Sequence, residues 1–312
     1  MTDESAATRR AFRVAYDGRA YAGFQRQPHA RTVEGTLLRA LAEHGIVDRG
    51  DGATHATPSG YAAAGRTDAG VSAVAQTIAF DAPPWLTPRA FNGPLPGSIR
   101  VWAAADVSDE FHATHHATRR TYRYHLYAPA KTSDTVASAD GGADDTSRRR
   151  DPRAERVVDD DAVEEALRRL SGEQDFHNLT TDTNGTVRTL EASATRAADL
   201  LVIEVGAGGF SRALVRRIVA VVERVGRGAV EPAFVDRLLA DEPVPGEHGI
   251  GPAPPEPLVL WNVAYDDVEF AVDEEAVVSA LAAFEERYRE ARHAAAATMA
   301  VRDRLRAVGP FG

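Results

Sequence analysis

The chain contains no cysteine, which excludes disulfides, thiolate metal sites and a cysteine nucleophile. Lysine is almost as scarce: Lys131 stands alone among 36 basic residues, so 35 arginines carry the positive charge. Nowhere in the 312 residues is there a run of about 18 apolar residues, the length a membrane span needs. Met1 to Arg10 is polar and lacks the apolar centre of a signal peptide. A cytoplasmic protein without membrane association is the expectation. Apolar residues make up 44% of the chain, enough to build a substantial core in one large domain or two ordinary ones.

The formal net charge is −10. Phosphate attraction supplies much of the affinity for nucleic acid, so an acidic body is a poor starting point for that class of partner. The charge is uneven, however. Phe111 to Tyr127 holds Arg119, Arg120 and Arg123 and no acid, and Leu200 to Gly228 holds five arginines against Glu204 and Glu223. Basic patches on an acidic body are therefore compatible with a polyanionic partner.

Alternating apolar positions at Phe12, Val14 and Tyr16 predict a strand that ends at the turn pair Asp17-Gly18. Thr32 is placed to cap a helix with Val33, Leu37, Leu38 and Leu41 on one face, and Thr87-Pro88 opens a short helix. Further strands are expected over 61–64, 74–80, 99–107, 117–127, 187–194, 200–205 and 258–265. Helices are expected over 159–170, 210–225 and 232–240, with one long or broken helix from Asp273 to about Arg306. Residues 129–156, rich in Asp, Ser, Thr, Gly and Ala, read as a flexible linker or surface loop. The organisation expected is an α/β fold with an N-terminal half over 1–128, the linker, a C-terminal half over 157–265 and a helical extension over 266–312. The extension nets −4 and is expected to cover apolar surface rather than bind RNA.

One loop holds residues suited to chemistry. Gly65-Arg66-Thr67-Asp68-Ala69-Gly70 joins two apolar segments, where a scaffold can present side chains into a cleft. In extended backbone Arg66 and Asp68 point to one side, and a guanidinium beside a carboxylate keeps it ionised. Such a carboxylate can serve as nucleophile or general base. A plain turn with a surface ion pair fits the same six residues.

The wider run Ala64–Ala73 resembles the signature of the tRNA pseudouridine synthases of the TruA type. Companion segments occur in the same order. Tyr16-Asp17-Gly18, Tyr21, Gly23-Phe24-Gln25 and Gln27 come first, then Thr32-Val33-Glu34-Gly35, Phe91-Asn92 and Leu95-Pro96. Phe111-His112-Ala113 with Arg120, Tyr122 and Tyr124 follows, then Ser171-Gly172, Asp175-Phe176 and Thr186-Val187-Arg188. Phe210, Val215, Arg216, Ile218 and Val219 match a later helix motif, whereas Arg212, Ala213 and Arg217 depart from it. The resemblance implies two related halves whose antiparallel sheets form a continuous sheet around a basic central cleft. It also implies isomerisation of uridine to pseudouridine in the tRNA anticodon stem-loop, at positions 38, 39 and 40, without cofactor or metal, by a homodimer. In that reading Asp68 is the catalytic carboxylate. Tyr122 stacks on the uracil, Arg66 pairs with Asp68 and fills the space left by the flipped base, Arg216 holds Asp68, and Leu258 touches the substrate.

Other readings compete. The strand over 200–205 followed by Gly206-Ala207-Gly208-Gly209-Phe210-Ser211 and a helix resembles a dinucleotide-binding turn, which would make the chain an NAD-dependent oxidoreductase. His112, His115 and His116 suggest a metal only if further ligands converge on them, and a structural role is expected instead. A non-catalytic RNA-binding protein would need no Asp68 beside its arginines, and a synthase with other tRNA target positions shares every motif above.

Overall fold

The computed structural model describes residues 7–48, 56–129, 157–245 and 249–308. Its strands in chain order are β1 (Thr8–Tyr16), β2 (Ala62–Ala63), β3 (Ser72–Ala82), β4 (Ile99–Asp106), β5 (Ala117–Tyr127), β6 (Gly172–Asp175), β7 (Val187–Ala197), β8 (Leu200–Ala207), β9 (Leu258–Tyr265) and β10 (Ala271–Val272). The helices are α1 (Val33–Glu43), α2 (Pro88–Phe91), α3 (Asp160–Leu170), α4 (Leu214–Gly226), α5 (Phe234–Leu239) and α6 (Glu274–Val308). This is a mixed α/β protein, as expected. The expected linker over 129–156 lies, Pro129 aside, outside the described residues.

Two compact units emerge. The first comprises residues up to Gly65, Gln76–Thr114 and everything from Asp267 on; the second comprises Arg66–Ala75 and His115–Asp266. This partition differs from the linear division at residue 128. Strand β5 joins the second unit because it pairs antiparallel with β8 from Arg120↔Ala207 to Tyr127↔Leu200, and with β9 from Ala117↔Tyr265 to Tyr124↔Leu258. The loop carrying Asp68 also belongs to the second unit, while the C-terminal extension belongs to the first.

In the first unit β1 is the centre. It runs antiparallel to β4 from Arg10↔Asp106 to Tyr16↔Ile99, and Phe12, Val14 and Tyr16 are fully buried. Phe12 stacks on Phe80 with ring centroids 5.2 Å apart and meets Phe91 edge-on at 5.5 Å, geometries that aromatic quadrupoles favour. The expected caps are in place: Thr32 accepts from the Gly35 amide ahead of α1, and Thr87 accepts from the Ala90 amide ahead of α2. Each supplies a partner for an amide that the first helical turn leaves unbonded. Asp273 caps α6 by accepting from the Ala276 amide and also accepts from the Arg89 amide. Further along, Arg287 reaches Asp17 at 3.1 Å, so the first part of α6 is fastened to the body.

In the second unit β5 lies between β9 and β8, and β7 and β6 continue outward from β8. Leu201, Ile203 and Val205 of β8 are buried on one face, the period-two pattern of a strand packed on one side. Helix α4 buries Leu214, Val215, Ile218, Val219, Val221, Val222 and Val225, each apolar side chain stabilising by roughly 1.5–3 kcal/mol. Helices α3 and α4 cross closely at Gly226, where an added Cβ would stand 2.6 Å from Val158 Cγ1 and 2.7 Å from Val163 Cγ2. One join departs from the antiparallel expectation: β3 pairs parallel with β9 through Ser72↔Val259 and Ala73↔Leu260. That join fixes the start of β3, and with it the loop that precedes it.

Candidate active site

The loop before β3 is shaped by a turn. The Val71 amide donates to the Asp68 carbonyl at 3.2 Å, and Gly70 lies at φ +84°, the left-handed value that the third residue of a type II turn requires. A Cβ at Gly70 would also come within 3.0 Å of Pro255 Cγ. Asp68 is thus the first residue of a turn, where Asp is favoured, and its side chain is 41% exposed.

The guanidinium on Asp68 comes from far away in sequence. Arg216 Nη1 donates to Asp68 Oδ2 at 3.0 Å. Arg216 is itself clamped: its Nε donates to the Ala253 carbonyl at 2.6 Å, and the Ala253 amide donates back to the Arg216 carbonyl at 3.0 Å. Only 16% of the Arg216 side chain is exposed, so it is pinned at two points, and a charged donor makes the stronger kind of hydrogen bond.

The start of α4 sets the direction of Arg216. The sequence predicts a helix from Phe210, but α4 begins at Leu214 because Ala213 adopts φ +54°. A left-handed alanine costs roughly 1–2 kcal/mol and persists only where its surroundings impose it. Here they do: the Arg212 amide donates to Asp182 Oδ2 at 2.8 Å, the Leu214 amide to the Ser211 carbonyl at 3.1 Å, and Arg217 Nη1 to the Arg212 carbonyl at 3.2 Å. Arg217 Nε also donates to the Ile250 carbonyl at 3.2 Å. This departure from the motif therefore acts on the backbone of the turn.

Tyr122 stands on β5 opposite Val205 of β8 and Leu260 of β9. Leu260 is in turn the partner of Ala73 on β3, so one cross-strand row links the Asp68 loop to Tyr122. Its ring meets Phe210 edge-on, with centroids 5.3 Å apart and planes at 86°. Burial pushes the Tyr122 hydroxyl up to about 12, the negative charge of Asp68 adds to the shift and Arg120 opposes it. The phenol is therefore neutral at physiological pH. Arg120 Nη1 donates to the Gly208 carbonyl at 2.5 Å, on the turn that leads to Phe210.

Two expected roles change. Arg66 was expected to pair with Asp68, but it is exposed, and among the described residues it forms no ion pair with Asp68; the cation there is Arg216. Leu258 was expected at the substrate, yet it is 4% exposed and part of the second unit's core. It stands opposite Tyr124, and its amide donates to the Pro255 carbonyl at 3.0 Å, which seats the loop that clamps Arg216. Phe210 and that loop, Gly251-Pro252-Ala253-Pro254-Pro255, were not singled out as site residues. The proline density was the available signal, because prolines pre-set a backbone and so can hold a clamp.

The dinucleotide reading fails on topology. Strand β8 is antiparallel to both β5 and β7, whereas a dinucleotide turn belongs to a parallel βαβ unit. Gly206 has a packing reason of its own, since a Cβ there would stand 2.1 Å from Arg119 Nη2. Nδ1 of His112 accepts from the Thr114 amide at 3.2 Å, a local turn contact. Among the described residues no three His, Asp or Glu side chains are grouped to hold a metal ion, and no helix is long and apolar enough to cross a membrane.

Sequence comparison places this site in a known context. Residues 166–266 match the family described as tRNA pseudouridine synthase. A tRNA pseudouridine synthase A of Haloarcula marismortui is 52% identical over 283 residues, covering 91% of this chain and 95% of the relative. One of Natronomonas pharaonis is 52% identical over 281 residues, with 90% and 94% covered. One of Thermococcus kodakarensis is 33% identical over 289 residues, again with 90% and 94% covered. With identity of that order along nearly the whole length, the chain belongs to the tRNA pseudouridine synthase family.

Proposed function

We infer that this chain isomerises uridine to pseudouridine in the anticodon stem-loop of tRNA, at positions 38, 39 and 40, with Asp68 as the catalytic carboxylate. The observation that carries the reading is the Arg216–Asp68 contact at 3.0 Å, in the same unit as the half-buried ring of Tyr122. A carboxylate held by a guanidinium and lying near a neutral aromatic face suits a reaction on a ribose beside a stacked base.

The chemistry asks little else. The C1′–N1 glycosidic bond breaks, the uracil turns, and C5 bonds to C1′; N1 ends with the proton that C5 gives up, so no atom is gained or lost. Asp68 acts either by attacking C1′ or by removing a proton at C2′. Tyr122 stacks on the uracil once it has left the helix, a displacement costing a few kcal/mol. Arg66, exposed beside Asp68 in sequence, suits the space the base vacates. Leu258 contributes by seating the clamp on Arg216. The chain works as a homodimer in this reading, with no cofactor or metal.

The test is to map pseudouridine in a tRNA transcript treated with the wild-type chain and with Asp68→Asn. Product at positions 38–40 with wild type only, while Asp68→Asn still binds tRNA, is the expected result. Normal turnover by Asp68→Asn would overturn the catalytic assignment, and product elsewhere in the tRNA would overturn the target assignment alone.

A further inference from the structure

The C-terminal extension is divided in a way that its total charge of −4 conceals. From Asp266 to Glu286 there are eight acidic residues and no basic one; from Arg287 to Val308 there are six arginines against Glu290 and Asp303. The structure divides the same stretch at nearly the same place. Up to Arg287, α6 is fastened to the first unit through Asp273, the buried Ala276 and the Arg287–Asp17 pair. From Tyr288 to Val308 every residue is exposed except Arg306, which is half-buried. A single unbroken helix thus carries an acidic root on the body and a basic distal arm of about 30 Å at about 1.5 Å per residue.

Part of the arm's charge is arranged by face. Successive residues of a helix turn by about 100°, so Arg289, Arg292, His293 and Arg304 fall within about a third of the circumference, together with Asp303, while Arg302 and Arg306 lie outside that sector. Ala276, Ala283 and Arg287, three of the residues through which the root meets the body, fall on the opposite side. Between the two arginine groups runs Ala294-Ala295-Ala296-Ala297-Thr298-Met299-Ala300. These short side chains favour helix and let a partner's backbone approach closely. The ion pairs Arg289–Glu286 and Arg302–Asp303 are exposed on both sides, and such pairs contribute little, so a phosphate can displace them at small cost.

We propose that residues 288–308 form an RNA-binding arm that grips the phosphate backbone of tRNA. The inference rests on tRNA being the substrate and adds the element by which an acidic protein holds it. A net of +3 on an exposed helix of a chain whose total is −10 favours a polyanion over a protein surface.

The experiment measures binding of the full chain to a tRNA transcript across a potassium chloride series, independently of turnover. It compares the parent with a variant combining Arg289→Gln, Arg292→Gln, Arg302→Gln and Arg304→Gln, and with the matching Arg→Lys variant. Glutamine and lysine are good helix formers, and circular dichroism checks that helix is retained. The glutamine variant should bind at least tenfold more weakly at low salt. Its plot of log affinity against log salt should be shallower by about one unit for each phosphate that the variant no longer neutralises. The lysine variant should keep most of the slope. Ala296→Glu, which adds a negative charge without removing any arginine, should weaken binding as well. Parental affinity and slope in the glutamine variant would overturn the arm, as would a change in its sedimentation mass with tRNA binding unaltered, which would assign the arm to a protein partner. Failure of the parent itself to bind tRNA would instead overturn the substrate reading on which the arm depends.

Discussion

Arg216 and Asp68 are separated by 148 positions in the chain, and a 3.0 Å hydrogen bond joins them. The contact depends on two local backbone features, the turn at Gly70 and the left-handed Ala213 that starts α4. It also depends on the Ala253 carbonyl, which holds the other side of the guanidinium. Lysine carries one cationic centre and cannot span both acceptors as the planar guanidinium does. Arg216→Lys should therefore lose most of what Arg216→Ala loses. A hydrogen bond to a charged group is worth about 1.5–3 kcal/mol, which translates to a roughly ten- to hundred-fold fall in turnover. Single-turnover rates at saturating tRNA measure it, and a wild-type rate for Arg216→Lys would remove the two-point clamp from the account.

Tyr122 offers a cleaner separation of roles. Its hydroxyl stays protonated well above physiological pH, and its ring is braced edge-on by Phe210. Tyr122→Phe should keep stacking and most of the affinity for tRNA, whereas Tyr122→Ala should lose about 1–3 kcal/mol of base stacking. Phe210→Ala removes the brace but not the stacking ring, so it should fall between the two. Titrating a fluorescently labelled tRNA with each variant gives the ordering. Equal losses in the phenylalanine and alanine variants would end the stacking role.

Local features were legible in the sequence, and long-range ones were not. The alternation of Phe12, Val14 and Tyr16, the caps at Thr32 and Thr87, and the glycine-bounded loop around Asp68 all follow from residue type and spacing over a few positions. Spacing alone misled at Arg66: it stands two residues from Asp68, yet the cation on Asp68 is Arg216, 148 positions away. The late start of α4 was hidden because nothing in the string Phe210-Ser211-Arg212-Ala213 announces a left-handed alanine; tertiary contacts from Asp182 and Arg217 impose it. The extension's summed charge misleads because its residues end up in two different environments. The parallel pairing of β3 with β9, which seats the Asp68 loop, joins segments nearly two hundred residues apart and leaves no short-range trace.

Gly70 carries two independent constraints, φ +84° and a 3.0 Å approach to Pro255. Alanine there must adopt a left-handed backbone at a cost of roughly 1–2 kcal/mol and displace a proline of the loop that clamps Arg216. Gly70→Ala should lower the urea midpoint accordingly and lower turnover by more than the fraction unfolded explains. Pro255→Ala leaves the left-handed requirement but relieves the crowding, so the double variant should recover part of the lost turnover. Strict additivity of the two substitutions would mean that the approach of Gly70 to Pro255 carries no coupling.

The tyrosines also determine how stability responds to alkali. Burial is the largest cause of the upward shift at both Tyr122 and Tyr124, to about 12 in each case from an ordinary value of 10.0. At any pH between those values an unfolded chain has released protons that the folded chain retains. The unfolded state then binds fewer protons, and stability falls as pH rises. Below about pH 9 the two residues add no slope; between about 10 and 12 each adds to the loss. Urea unfolding at a series of pH values from 8 to about 11.5 should show stability level at first and then declining. Tyr122→Phe should make the decline shallower by the share of one tyrosine, and an unchanged decline in that variant would place the proton-linked loss elsewhere.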